Sequence, residues 1–236
     1  MIKKISETKV LHSILFTIIT LFAITIFNGC NEDNPINPSQ TARLQITHAS
    51  PDAPNLDIYI GTTLIASNLS YLETLTYFNV TGNTVSEIIM NAAGTSTTLI
   101  DTAVYFSTNT SSSFFAYDSL QDIQPLILTD DLTSPGTTNA RLRFIDLSPN
   151  SPSLDVGGVG KVQPWFPFYT FPQSSEFRAI TGGTYDIYAN LSGTGTTLVT
   201  LTGQNMPAGK IFTVIANGYN GASGLQSFGL TLIPNN

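Results

Sequence analysis

From residue 42 onward the chain alternates apolar and polar side chains in short runs. Arg43-Leu44-Gln45-Ile46-Thr47-His48 has the two-residue period of a half-buried strand, and Leu56-Asp57-Ile58-Tyr59-Ile60 repeats it. Further runs at 64–66, 75–80, 85–91, 98–106, 113–117 and 125–128 predict more strands. Turn residues separate them at Gly82-Asn83, Ala93-Gly94 and 109–112, and Ser50-Pro51-Asp52-Ala53-Pro54 breaks the first pair with preset proline φ angles. No stretch after residue 41 keeps a helical period over eleven residues. Short strands at spacings near ten residues predict a β-sandwich or barrel.

The pattern is used twice. Residues 42–57 read ARLQITHASPDAPNLD and residues 140–155 read ARLRFIDLSPNSPSLD, with eight of sixteen positions identical at an offset of 98. The shared positions include Ser50/Ser148, Pro51/Pro149, Pro54/Pro152 and Asp57/Asp155. Thr181-Gly182-Gly183-Thr184 matches Thr81-Gly82-Asn83-Thr84 at an offset of 100. A self-match this dense predicts a duplicated unit. The division expected is a first β-sandwich over 42–133, a linker at 134–139 within the Pro/Gly/Thr-rich stretch 130–139, and a second β-sandwich over 140–236. Each copy has the size of an immunoglobulin-like sandwich of seven or eight strands. The expected fold is therefore all-β, with two tandem immunoglobulin-like sandwiches whose own inner faces supply nearly all the stability.

The N-terminus changes the picture. Lys3, Lys4 and Lys9 precede an uncharged run of fourteen residues, Ile14 to Phe27. That run is too short to span a bilayer and suits the apolar region of an export signal. It ends at Asn28-Gly29-Cys30, and Cys30 is the sole cysteine, so no internal disulfide forms. Residues 1–29 resemble a bacterial lipoprotein signal, although Phe27 and Asn28 stand where Leu and a small residue are usual. The resemblance implies a cleaved signal, lipid attachment at Cys30, and a membrane partnership through that anchor. Residues 30–41 hold two prolines and two acids and read as a flexible tether. Glu32 and Asp33 resemble the export tag of surface lipoproteins in the Bacteroidetes, which implies the cell envelope and its outer membrane. Without residues 1–29 the chain keeps six basic and fifteen acidic residues. An acidic chain with few cations excludes nucleic acid as a partner.

His48-Ala49-Ser50-Pro51-Asp52-Ala53-Pro54, the strand Leu56-Asp57-Ile58-Tyr59-Ile60, the turn at 81–84 and the restart at Ala140 resemble the DUF4397 family of exported bacterial proteins, often found in tandem. The second unit departs from that pattern: Asp146 replaces the His, Asn150 the Asp, and Val156-Gly157-Gly158 the usual Val-Tyr-Val. The resemblance implies fold and export, and names no activity.

Candidate chemistry is sparse. His48 is the only histidine after residue 29, and with Asp52 and Asp57 it suggests a metal site or an acid–base pair, the latter giving an envelope hydrolase with His48 and Asp52. The turn chemistry offers a structural reading of the same residues, with Asp57 bonding amides of the Pro-bounded loop. One histidine and no paired cysteines do not make a zinc site, and no nucleophile elbow or phosphate-cradling loop is present, so no cofactor is expected. No EF-hand or repeat-type calcium loop is present either, but Asp52 with Asp57, or Asp130 with Asp131, offers oxygen ligands, and a calcium-stabilised structural protein stays open as a further reading. The run 163–172, rich in aromatics and proline, is the most unusual stretch. Alternation places Trp165, Pro167 and Tyr169 on one face and Phe166, Phe168 and Thr170 on the other. Phe171 and Phe177 align with Tyr71 and Tyr77, so part of the run fills packed positions, either in a core or between the two units. The remainder, with Trp165, Phe168 and Tyr169 as candidate contacts, fits ligand binding. The expected function is a non-catalytic surface interaction, adhesion or scaffold module engaging an envelope protein. A glycan-binding accessory role through residues 165–171 is the alternative, and the hydrolase is a third reading.

Overall fold

The computed structural model describes residues 40–236. The signal, Cys30 and the tether up to residue 39 lie outside the described residues. Gln40–Asn236 is one compact unit of all-β structure with no α-helix among the described residues. Its first half carries β1 (Thr41–His48), β2 (Leu56–Ile60), β3 (Thr63–Leu69), β4 (Thr74–Thr81), β5 (Thr84–Ala92), β6 (Thr98–Phe106), β7 (Ser111–Tyr117) and β8 (Gln124–Thr129). The second half carries β9 (Asn139–Asp146), β10 (Leu154–Gly158), β11 (Phe166–Tyr169), β12 (Arg178–Thr181), β13 (Gly183–Leu191), β14 (Thr197–Met206), β15 (Ile211–Asn217) and β16 (Gly229–Pro234).

Four sheets result. Sheet A runs β4-β1-β7-β8 and sheet B runs β3-β2-β5-β6; they close the first sandwich. Sheet C, β12-β9-β15-β16, and sheet D, β11-β10-β13-β14, close the second with the same order eight strands later. Both copies place a parallel pair at the centre of one sheet, β1 with β7 and β9 with β15. Each sandwich has its own core. Leu44, Ile46, Leu56, Ile58, Ile88 and Phe114 fill the first, and Leu142, Phe144, Leu154, Val156, Ile187 and Val214 fill the second.

A third apolar cluster lies between the two units, and Phe171 of the aromatic run packs against it. Phe115 and Tyr117 of sheet A meet Ile145, Leu147, Ile215 and Ile233, which belong to sheet C or follow its strand β9. The two sandwiches therefore dock through the outer faces of sheets A and C. This explains why β7 and β15 are buried at every position: their even and odd residues face different cores. The expectation that inner faces alone stabilise each copy is corrected by this shared layer.

Charge is buried in the shared layer too. Arg143 and Asp130 pair at 2.8 Å and are only 2% and 6% exposed. The Asp130 carboxylate also accepts from Ser113 at 2.7 Å and from the Tyr77 hydroxyl. Burial pulls the Arg143 guanidinium below its usual range, with Asp130 opposing, while burial and the neighbouring Asp130 carboxylate push the Tyr77 hydroxyl up. Residues 130 and 131, read as part of a loose connection, are thus fixed: Asp131 bonds Arg141 at 2.8 Å.

The docking has an approximate two-fold relation. Across the interface from Arg143–Asp130, their counterparts Gln45 and Asn235 bond at 3.2 Å. Ser113 to Asp130 is matched by Thr213 to Asn235 at 2.8 Å. The Tyr117 and Phe171 rings meet at 5.7 Å, and their counterparts Asn217 and Tyr71 bond at 3.4 Å. The same face of each copy meets the other, as in an isologous dimer.

Losing one partner of a buried pair leaves the other charge stranded, at a cost of about 3–5 kcal/mol. Asp130→Asn should lower unfolding free energy by about 3 kcal/mol in chemical denaturation. Adding Arg143→Gln to it, which copies the amide pair opposite, should recover most of that loss.

Candidate functional site

The proline-bounded phrase folds as a strap between the two sheets of each sandwich. His48 ends β1 fully buried; its Nε2 lies 3.1 Å from the Pro54 carbonyl and its ring meets Tyr71 edge-on at 6.0 Å. Asp52 Oδ1 accepts from the Leu120 amide at 2.8 Å and from the Tyr219 hydroxyl of the second sandwich at 3.0 Å. Asn150, its counterpart, accepts from the Asn220 amide at 2.7 Å. The Ser148 hydroxyl donates to the Gly218 carbonyl at 2.6 Å, whereas the buried Ser50 hydroxyl has no partner. Pro51 is buried, Pro149 and Pro152 are half-buried, and Pro54 is exposed. His48 is thus sealed from solvent, and Asp52 is engaged in holding loops.

Asp57 and Asp155 act as clamps. Asp57 accepts from the Asn68 and Gly94 amides, both at 2.8 Å. Asp155 accepts from the Phe168 and Gly193 amides at 2.9 Å each and from Ser192. These amides lie in β3 or β11 and in the turn after β5 or β13, not in the Pro-bounded loop where bonding was expected. Among the described residues, no three His, Cys, Asp or Glu side chains gather around a metal-sized space. Two clefts of about 430 and 270 Å³ are lined by Arg43, Asp130 and Asp131 and by Gln45, Tyr77 and Asn235 respectively.

The aromatic run does not alternate as expected. Trp165 and Phe166 are both buried in the second core, and Tyr169 packs against it. Trp165 and Tyr169 are therefore withdrawn as free contacts. A bulge causes this: Leu154 pairs with Tyr169 and Val156 with Phe166, so Pro167 and Phe168 share the place opposite Asp155. The bulge turns Phe168 outward, 68% exposed, with φ +61°. Its counterpart Asn68 sits in the same bulge with φ +59°. Asparagine tolerates this left-handed conformation, whereas phenylalanine is strained there by about 1–2 kcal/mol.

The two glycines that replace Tyr59 and Ile60 make room for aromatics arriving from elsewhere. A Cβ on Gly158 would lie 2.7 Å from the Trp165 ring, which occupies the core place of Ile60. A Cβ on Gly157 would lie 2.7 Å from the Tyr188 hydroxyl. Tyr188, paired with Gly157, lays its ring over the outer face of sheet D. Phe168, Tyr188 and Pro164 thus gather on that face around Asp155, whose charge helps raise the Tyr188 hydroxyl after desolvation. Tyr188 escaped sequence reading because its role appears only once Gly157 is placed opposite it.

Fold and surface together define an all-β protein of two docked sandwiches with an aromatic face on one outer sheet. Within it, residues 42–157 carry a DUF4397 domain, described as "Domain of unknown function (DUF4397)". The match takes in the first sandwich and the β9–β10 opening of the second. No curated protein matches the chain. Among solved structures, the crystal structure of CBMbc (family CBM26) from Eubacterium rectale Amy13K in complex with maltoheptaose is similar at 11% identity, with a TM-score of 0.24. The similarity covers 82% of this chain and 96% of that one. The strand order, rather than this likeness, defines the fold.

The ends of β1 and β9 make a pH prediction. His48 is held neutral, because burial lowers its pKa. Asp146, its fully buried counterpart, is lifted by burial from 3.8 to about 6, against bonds from Ser151 and the Ser148 amide. Its folded value exceeds its unfolded one, so its contribution is full below pH 3.8 and lost as pH rises through 6. That difference corresponds to about 3 kcal/mol at pH 8. Asp146→Asn keeps an acceptor for Ser148 and should raise stability at pH 8 by about 2 kcal/mol, with little change near pH 4. Denaturation curves at the two pH values check this.

Proposed function

We propose that the protein is a lipid-anchored envelope protein that works as a non-catalytic interaction module. In this reading residues 140–236 form a second DUF4397 copy, supported by strand order and by the clamps Asp57 and Asp155. Cys30 carries the lipid, and the acidic tether sends the chain to the outer membrane, displayed for adhesion or as a scaffold. The contact is the outer face of sheet D, centred on Phe168 and Tyr188.

One observation carries the reading. Phe168 holds a strained, exposed conformation where its counterpart is the well-suited Asn68. Strain kept at an exposed aromatic is the mark of a residue selected for contact rather than for folding. The occupant is a protein of the envelope. A glycan is the second reading, favoured by the neutral polar neighbours of Tyr188: Thr200, its partner on β14, and Asn190, opposite Asp155; sugar rings would stack on the two aromatics. The hydrolase reading finds no support, since His48 is sealed and Asp52 is occupied.

Phe168→Asn separates folding from binding. The variant should be about 1 kcal/mol more stable than the parent and should lose capture from an envelope fraction and retardation in polysaccharide gels. Capture on envelope protein with free migration in the gels selects the protein reading, and retardation in one polysaccharide selects the glycan. Undiminished binding by the variant would overturn the site. For the anchor, Cys30→Ser should abolish labelling of the protein by radioactive palmitate in cells.

A further inference from the structure

The outer face of sheet B, in the first sandwich, is a different surface. Val85 and Tyr105 are direct cross-strand partners on β5 and β6, 61% and 59% exposed. Leu64, half exposed, pairs with Tyr59, which pairs with Ile89 on β5. Glu87 and Asp101 stand on the same face, beside Ala103 and Ile89. The face is therefore apolar and aromatic with two carboxylates set into it.

The second sandwich shows that folding does not require this. The strand pair equivalent to Val85–Tyr105 is Thr184–Asn205, polar on both strands. The hairpin of sheet D carries one bulge more than that of sheet B, between Tyr185 and Ile187, yet it pairs these end positions without any apolar side chain, so the apolar pair on sheet B is surplus to the fold. Exposed apolar groups collected on one face mark a contact surface.

Charge names the occupant. Residues 42–133 hold nine acids and a single cation, Arg43, whereas residues 140–236 hold five cations and four acids. Arg43 belongs to β1 in sheet A and packs over the Tyr77 ring, away from sheet B. Among the described residues, no cation on the face offsets Glu87 and Asp101. We propose that the outer face of sheet B docks a basic polypeptide surface, Lys- or Arg-bearing with apolar side chains between the charges. Carboxylates select the cationic groups and steer the approach, and Tyr105, Val85 and Leu64 receive the apolar ones. This surface is independent of the Phe168 face and stands whether or not that face binds.

The test uses poly-L-lysine and a random lysine–phenylalanine copolymer, titrated onto the folded chain at low ionic strength. The native chain should bind the copolymer about tenfold more tightly than polylysine. Val85→Thr with Tyr105→Asn, residues the fold already accepts at Thr184 and Asn205, should erase that difference. Glu87→Gln with Asp101→Asn should weaken both probes about tenfold, while the charge-matched control Glu73→Gln with Asp122→Asn should weaken them less than about twofold. Equal losses from the two charge pairs, or no advantage of the copolymer, overturns the proposal. So does a native chain that sediments as a dimer until Tyr105 is changed, since a second copy then occupies the face.

Discussion

The docking of sheet A on sheet C is the constraint from which the rest of the molecule follows. It takes the outer face of one sheet from each sandwich out of water. Every strand at the centre of those sheets must then satisfy two cores. The Arg143–Asp130 pair lies inside this layer with Tyr77, Ser113, Thr213, Gln45 and Asn235 arranged so that each charge and amide finds a partner. Such a pair contributes little net stability over apolar packing, because desolvation offsets attraction. Its effect is on specificity: a rotated or slipped docking would strand a charge.

With A and C used up, sheets B and D are the faces left outward, on opposite sides of the four-layer stack. Both carry aromatic side chains that their counterparts lack: Tyr105 against Asn205, Phe168 against Asn68. The strap residues His48, Asp52, Asp57, Asn150 and Asp155 serve the scaffold beneath these faces. The repeated phrase is thus the frame the two halves share, and the chain's individuality sits where they disagree.

Strand positions were legible because one face of sheets B and D is wet and alternation survives there. β2 and β6 begin and end where the pattern placed them. The interface was legible only as one of two packing places for the aromatic run, where Phe171 does pack. Ser111 to Tyr117 and Ile211 to Asn217 lack alternation and charge, which in a sandwich signals burial on both faces. Arg143 and Asp130 gave none, since nothing in the order of residues shows which charges meet across two units. The aromatic run was misread for a local reason. A bulge adds one residue, so strict alternation fails at Pro167-Phe168, and Trp165 fills a space that Gly158 leaves. Pattern alone does not reveal a core place vacated on one strand and filled from another.

If the shared layer binds the two sandwiches into one structural unit, they should melt together. Scanning calorimetry of residues 40–236 measures this directly: a single transition whose calorimetric and van't Hoff enthalpies agree is the predicted result. Two resolved transitions, one for each sandwich, would contradict the account.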